Sequence, residues 1–310
     1  MPYLRKRGLV SVLFGLVLIF ASALGTRPQA LAAPGPAATA PAPEAPQPGS
    51  RQTLTLDGVE FTFCYIPAGA FMMGSPESET GRGEGEKLHK VIISQPFYMM
   101  ENEVTQEQYA VLKGNDSYLK DERRKPSFPG AKRPIESIFH PFQNIPTICD
   151  RFAAASRRKL RLPTRAEWEY ACRAGTSTPF HYGNDLDATM ANFNGREPYG
   201  KGARGKLRNE TTEVKQFKPN AWGLYDMHGN VAEICLDYAP KDPDISVDGI
   251  KDPGAMDPEA IAKSGLKPRW SFCGGGYNSS ASECRASAVS PIDGSHGGND
   301  GTGFRLVLLP

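Results

Sequence analysis

Several familiar signatures are missing from this sequence of 310 residues, and each absence removes a class of chemistry. There is no H-E-x-x-H, no C-x-x-C and no G-x-S-x-G, so zincin, thioredoxin-like and α/β-hydrolase chemistry have no foothold. Histidine is scarce: His89, His140, His181, His228 and His296 stand singly and are expected to be structural or solvated. No charge of one sign dominates either, because 36 basic residues face 34 acidic ones for a net charge of +2. A field able to attract nucleic acid or anionic lipid is therefore not expected, and the basic stretch Lys201–Arg208 reads as a solvated loop. Within it, Gly200-Lys201-Gly202-Ala203-Arg204-Gly205 fits G-x-G-x-x-G. That string follows Pro198-Tyr199 and precedes Lys206-Leu207-Arg208, so it does not join a strand to a helix and carries no phosphate site.

The one long apolar run, Leu9–Leu24, is short for a membrane span and has no stop-transfer flank. With Arg5, Lys6 and Arg7 before it and Ala30-Leu31-Ala32 after it, it reads as a signal peptide over 1–32. Cleavage is expected near Ala32, the alternative being a retained anchor. No transmembrane span is then expected in the mature chain, and its location is periplasmic or extracellular. Residues 33–52 are rich in Ala, Pro, Gly, Glu and Gln, a composition that cannot bury enough apolar surface to offset its ordering entropy, so they read as a linker.

Residues 53–310 read as one irregular α+β domain, since 32 glycines and 27 prolines punctuate the chain too often for long regular elements. Leu54–Tyr65, Phe71–Gly74 and Val91–Ile93 read as short strands. A helix is expected over Glu101–Lys113, with Thr105 as cap and Gln108 three residues on. A second is expected over Ile145–Arg157, where Ile148, Phe152 and Ala155 share a face and Pro146 limits the start. The best-specified helix is Arg165–Ala174, opened by a Thr164/Glu167 capping box and closed at Gly175. Beyond Phe180 only short apolar patches occur. Six cysteines, Cys64, Cys149, Cys172, Cys235, Cys273 and Cys284, lie in the exported part, where disulfides persist.

These landmarks have a familiar order. Ile66-Pro67-Ala68-Gly69, Phe71-Met72-Met73-Gly74, Glu103-Val104-Thr105-Gln106, Arg161-Leu162-Pro163-Thr164 and Glu167-Trp168-Glu169-Tyr170-Ala171-Cys172-Arg173-Ala174-Gly175 are followed by three more strings. Those are Gly223-Leu224-Tyr225-Asp226-Met227-His228-Gly229-Asn230-Val231, Gly274-Gly275-Gly276-Tyr277 and Gly303-Phe304-Arg305-Leu306. In sequence and spacing the set resembles the formylglycine-generating-enzyme (sulfatase-modifying factor) family across Phe61–Leu308. The resemblance implies an irregular, C-type-lectin-like α+β fold with little regular secondary structure.

It also implies structural calcium. Gly229 and Val231 would contribute carbonyls, with Asn230 and Glu233 near the ion, a set of hard oxygens of the kind calcium favours. The other reading of Glu233 is a turn cap or an arginine partner. A second site is implied at Asn192, through its side chain, and Phe193, through its carbonyl. Family members usually carry Trp where this chain has Ala232. The family oxidase holds monovalent copper between two cysteines that follow its Gly-Gly-Ser-aromatic motif. Here Gly276 replaces the serine, and Tyr277 is followed by Asn278-Ser279-Ser280-Ala281-Ser282-Glu283 before the single Cys284, so the pair is absent and copper is not expected.

The resemblance pairs Cys172 with Cys284 in a disulfide. Cys235 and Cys273 form a second expected bridge on adjacent strands, and Cys64 and Cys149 are left as buried thiols. Tyr277, Asn278, Ser279, Arg285 and His296 mark the expected ligand groove, in a region rich in Ser280, Ser282, Asp293, Ser295, Asn299 and Asp300. Three functions follow from the resemblance: a non-oxidase that binds an envelope protein or a small polar ligand, a divergent oxidoreductase of the kind that matures the pyoverdine siderophore chromophore, and a formylglycine-generating oxidase. The missing cysteine pair favours the first. No nucleic-acid partner is expected.

Overall fold

Asp57 and Gly58 decide the first turn. Both take positive φ, 49° and 81°, the pair that a two-residue type I′ hairpin requires. They split the expected Leu54–Tyr65 strand into β1 (Arg51–Leu56) and β2 (Val59–Ile66), with Leu56 opposite Val59. The computed structural model describes residues 45–114, 125–138, 141–239, 249–254, 267–291 and 299–309. The expected signal segment, the expected linker up to residue 44, His140, Asp293, Ser295 and His296 lie outside the described residues. The folded part begins earlier than Thr53, because the Gly49 amide already donates to the Tyr65 carbonyl and β1 opens at Arg51.

The other strands are β3 (Gly69–Met73), β4 (His89–Ile93), β5 (Phe97–Met100), β6 (Leu160–Arg161), β7 (Ala232–Ala239), β8 (Ile250–Lys251), β9 (Lys267–Cys273), β10 (Val289–Pro291), β11 (Thr302–Gly303) and β12 (Val307–Leu308). They form a five-stranded sheet in the order β1-β2-β5-β12-β6, a four-stranded sheet β10-β9-β7-β11 and a three-stranded sheet β3-β4-β8. From Ala174 to Val231 the chain runs with no helix or named strand.

Three helices are described. In α1 (Gln106–Lys113) and α3 (Arg165–Arg173) the expected capping boxes form, Thr105 with Gln108 and Thr164 with Glu167. Each cap satisfies amides that the first turn leaves free and contributes about 1 kcal/mol. Helix α3 stops when Ala174 turns left-handed at φ 44°, and Gly175 follows at φ 91°. Helix α2 (Pro141–Ser156) starts earlier than expected and carries Pro146 inside it. Pro141 occupies the first position, where its missing N–H and fixed φ suit a helix start, so Pro146 removes one ladder bond near the end of the helix that frays most easily.

Two apolar clusters build most of the core. Phe61, Phe63, Ile148, Phe152, Phe304 and Leu306 fill the space between the five-stranded sheet and helices α1 and α2. Phe61 meets Phe152 edge-on at 5.5 Å, and each fully buried ring contributes roughly 2–3 kcal/mol. Trp168, Ala171, Cys172, Met99, Leu224 and Met227 surround α3. A third cluster of Phe180, Leu186, Phe193, Tyr199, Ala281 and Cys284 lies under the long loops and ties them down.

Candidate functional site

The triple glycine after β9 has a steric reason at every position. Gly274 and Gly275 are left-handed, at φ 85° and 67°. A Cβ on Gly274 would stand 2.9 Å from the Trp168 ring, one on Gly275 would stand 2.7 Å from the Cys284 sulfur, and one on Gly276 would stand 2.7 Å from the Gly301 carbonyl. The chain can therefore press flat against α3 and the β11 loop. Above Gly275 and Gly276 opens a cleft of about 340 Å³. Asn278, Ser279, Asn299 and Thr302 line one part, Gly81 and Gly83 another, and Phe272, Ala288 and Val289 supply its apolar wall.

Of the expected groove residues, Asn278, Ser279 and Arg285 line this cleft. Tyr277 is buried beside it, edge-on to Phe128 at 5.2 Å. Burial pushes its hydroxyl up, and the Asp300 carboxylate adds to that. Arg285 corrects the sequence reading, because its guanidinium is not free to hold a ligand. Nη1 donates to Glu79 Oε1 at 2.6 Å, Glu86 Oε2 at 2.7 Å and the Ser287 hydroxyl at 3.0 Å, while Nε donates to the Ser282 carbonyl. Against its own burial, the hydrogen bonds of Glu86 from Arg285, Ser75 and Gly83 hold its carboxyl down at about 2. Arg285 thus braces the wall.

None of the six cysteines lines the cleft, and all are buried thiols that form no disulfide. The expected Cys172–Cys284 bridge is not formed. The Cys172 sulfur meets His228 Nε2 at 3.8 Å and the Met227 carbonyl at 3.9 Å, whereas the Cys284 sulfur lies against Gly275. The His228 imidazole takes the position beside both residues: Nδ1 donates to the Cys284 carbonyl at 2.7 Å and Nε2 accepts the His181 amide at 3.1 Å. Both bonds suit a neutral ring, and burial, reinforced by His181, holds its pKa well below the usual range. Burial likewise pushes the thiols of Cys172, Cys284 and Cys64 up, and that of Cys149 to about 12. A thiolate–imidazolium nucleophile therefore does not form at the Cys172–His228 contact. Cys235 and Cys273 are not bridged either, but their sulfurs approach to 3.6 Å across β7 and β9.

The turn expected to hold calcium is closed by its own hydrogen bonds. Gly229 and Asn230 are both left-handed, at φ 94° and 65°. Asn230 Nδ2 donates to Glu103 Oε2 at 2.7 Å, and its Oδ1 accepts the Thr212 amide at 2.7 Å. The Val231 amide donates to Glu103 Oε1 at 3.0 Å. Glu233 is a second correction: Arg305 grips it through Nε and Nη2, each at 2.6 Å, and Trp168 Nε1 donates to it at 2.7 Å. The arginine-partner reading describes it, and the Asn230 and Glu233 side chains are both engaged in protein hydrogen bonds. Asn192 differs. Its Nδ2 donates to Asn230 Oδ1 and to the Glu210 carbonyl, while its Oδ1 is buried with no hydrogen-bond partner among the described residues.

Acidic groups crowd behind this turn. Burial, followed by Asp226 and Glu233, raises the Glu103 carboxyl well above its usual range. Asp226 is raised to about 6, chiefly by burial, against the Lys215 amide that donates to its Oδ2. An acid whose folded pKa is raised favours the native state at low pH and loses that advantage as pH rises through the folded value. Asp226→Asn, at a left-handed position that Asn tolerates, is therefore expected to flatten the fall in stability between about pH 4 and pH 6. Urea midpoints at several pH values check this, and an unchanged slope would mean that Asp226 is not the group titrating.

A cleft floored by glycine on an α+β scaffold of short sheets, with capped helices and long pinned loops, defines the class. Residues 57–309 match the sulfatase-modifying factor enzyme 1-like domain, and the chain belongs to that FGE-sulfatase family. It is 32% identical over 188 residues to the serine/threonine-protein kinase pkn1 of Chlamydia caviae, across 56% of this chain but only 27% of that protein. It is 28% identical over 255 residues to the formylglycine-generating enzyme of Streptomyces coelicolor, across 67% of this chain and 76% of that enzyme. Among solved structures, PvdO from Pseudomonas aeruginosa is similar at 26% identity with a TM-score of 0.66, covering 86% of this chain and all of that one. The fold is the α+β fold of these proteins. The two-thiol copper site implied by the family oxidase does not fit the residues present, since no cysteine lines the cleft and the Cys284 thiol is buried against Gly275.

Proposed function

We propose that this is an exported, ligand-binding member of the family whose cleft takes a polar ligand without thiol–copper chemistry. The observation that carries this reading is the lining of the cleft: the amides and hydroxyls of Asn278, Ser279, Asn299 and Thr302 and glycine backbone beside an apolar wall, with Arg285 tied to Glu86 and no thiol. Side-chain amides and hydroxyls both donate and accept, which suits a ligand rich in such groups. The N-terminal basic and apolar segment with its A-x-A site supports export. Competitive titration with a monovalent-copper chelator tests the reading: no site able to outcompete the chelator is expected. A tight site that disappears in Cys284→Ser would overturn it. The divergent oxidoreductase remains the second reading, favoured by the likeness to PvdO across the whole of that protein.

Calcium belongs to the proposal at Asn192, where the orphaned Oδ1 and the Phe193 carbonyl would hold it, with Gly229 and Val231 contributing carbonyls only. Millimolar calcium is expected to raise the melting temperature of the wild type, as any ligand of the native state does. The rise should vanish in Asn192→Ala; an equal rise in the variant would place the ion elsewhere. A Cys235–Cys273 bridge in the oxidised, exported protein is also proposed from the 3.6 Å approach of the sulfurs. Alkylation under denaturing conditions should then label two fewer thiols without reductant than with it, and equal labelling would exclude the bridge.

A further inference from the structure

One loop of the molecule carries charge that nothing around it uses. Between Asn194 and Arg208 stand Arg196, Lys201, Arg204, Lys206 and Arg208 against the single carboxylate of Glu197. Arg208 is engaged, donating to the carbonyls of Ala188 and Ala191 and covering the Phe217 ring at 5.5 Å. The other four cations are exposed and, among the described residues, make no side-chain hydrogen bond or ion pair. Nearby acids are occupied: Asn194 Nδ2 donates to Glu197, the Thr189 hydroxyl and amide to Asp187, and the Lys201 amide to Asp185.

The fold holds these cations in place and beside the cleft. The Gly205 amide donates to the Gly195 carbonyl at 2.7 Å, which makes neighbours of the segments bearing Arg196, Arg204 and Lys206. A Cβ on Gly195 would collide with the Lys206 carbonyl at 2.7 Å, so the approach depends on glycine. The same loop is bonded to the cleft rim: the Asn194 amide donates to the Ser279 carbonyl at 2.8 Å, the Ala281 amide to the Glu197 carbonyl at 3.2 Å, and the Tyr199 hydroxyl to the Thr80 carbonyl at 2.8 Å. Ser279 lines the cleft itself.

We propose that the cleft takes an acidic polysaccharide, with sugar hydroxyls seated among Asn278, Ser279, Asn299 and Thr302 and the carboxylate or sulfate groups of the following units lying over Arg196, Lys201, Arg204 and Lys206. This rests on the ligand-binding reading above and deepens it. A cleft of about 340 Å³ that sets the amides and hydroxyls of Asn278, Ser279, Asn299 and Thr302 beside the apolar side chains of Phe272 and Val289 suits one or two sugar units, and its own carboxylates are engaged, Glu86 by Arg285 and Glu283 by the Ser280 amide and hydroxyl. Charges this exposed act within a screening length of about 8 Å at physiological salt, so they serve a chain that runs along the rim.

The test measures binding of a labelled oligogalacturonate of defined length to the purified chain, to the variant with Arg196, Lys201, Arg204 and Lys206 all changed to Glu, and to Asn278→Trp, which fills the cleft. Thermal melts establish that each variant is folded. Binding that weakens about tenfold or more in both variants, falls with added salt and is much weaker for a neutral maltooligosaccharide is the expected result. Loss in Asn278→Trp alone would keep the cleft as a binding site and overturn the charge proposal. Loss in the charge variant alone would overturn the cleft as the seat of the sugar. Preference for poly-L-glutamate over the oligogalacturonate would reassign the rim to an acidic peptide, and no binding of either acidic probe would overturn the proposal outright.

Discussion

Arg305→Met is expected to lower folding stability by about 3–5 kcal/mol, the cost of removing one partner from a buried ion pair. Arg305 is fully buried and joins four parts of the chain. It grips Glu233 at the start of β7 with two bonds of 2.6 Å and donates to the carbonyls of Met100 in β5, at 3.2 Å, and Tyr225 in the long loop, at 2.9 Å. Without it, the Glu233 carboxylate keeps, among the described residues, only the neutral Trp168 indole N–H as a side-chain donor. The measurement is a urea titration, with the midpoint falling at an unchanged slope. Adding Glu233→Gln should recover part of the loss, since the two positions are coupled and a neutral amide does not strand a charge. A loss below about 1 kcal/mol, or strict additivity of the two changes, would mean that the pair does not brace the fold as described.

A loss of similar size, about 3–5 kcal/mol, is expected for Arg285→Met, with a signature at acid pH. Arg285 neutralises Glu79 and Glu86 in the cleft wall, and Glu86 is held at about 2 in the folded protein. Its ordinary value is 4.5. A depressed carboxylate contributes stability that is present above the unfolded pKa and lost as pH falls through the folded one. Wild-type stability should therefore drop between about pH 4.5 and pH 2 from this group, and Arg285→Met should remove most of that drop while lowering the whole curve. If the acid slope survived the substitution, Ser75 and the Gly83 amide, not Arg285, would be what holds Glu86 ionised.

How much of this was legible in the sequence follows the range of the interactions concerned. Both capping boxes, at Thr105 and Thr164, were readable because every participant lies within four residues. The family, and with it the α+β fold, was readable because its strings keep their order over the whole domain. The Asp57-Gly58 pair is a turn signal too, but the apolar run continues on both sides of it, so the sequence pattern reads as one strand. Helix α2 was foreshortened because Pro146 was treated as a barrier, when Pro141 had already provided the start.

The site was less legible, since its parts meet from far apart in the chain. Asn278 and Ser279 could be placed by following the triple glycine, but the facing Gly81 and Gly83 lie about two hundred residues earlier and carry no signal of their own. Arg285 lines the cleft but is tied to Glu79 and Glu86, and Glu233 is held by Arg305, because a sequence shows a charge but not its buried partner. The Cys172–Cys284 pairing failed in the same way: no local feature announces that His228 stands beside both.

The central claim is that the scaffold persists here without its thiol chemistry. Its most direct test is incubation of the folded, calcium-supplemented protein with a Cys-x-Pro-x-Arg peptide, copper and a reductant, followed by mass spectrometry. The peptide is expected to be recovered with its cysteine intact. Conversion of that cysteine to formylglycine, seen as the corresponding loss of mass and abolished in Cys284→Ser, would contradict the claim and make the buried Cys284 thiol a catalytic group.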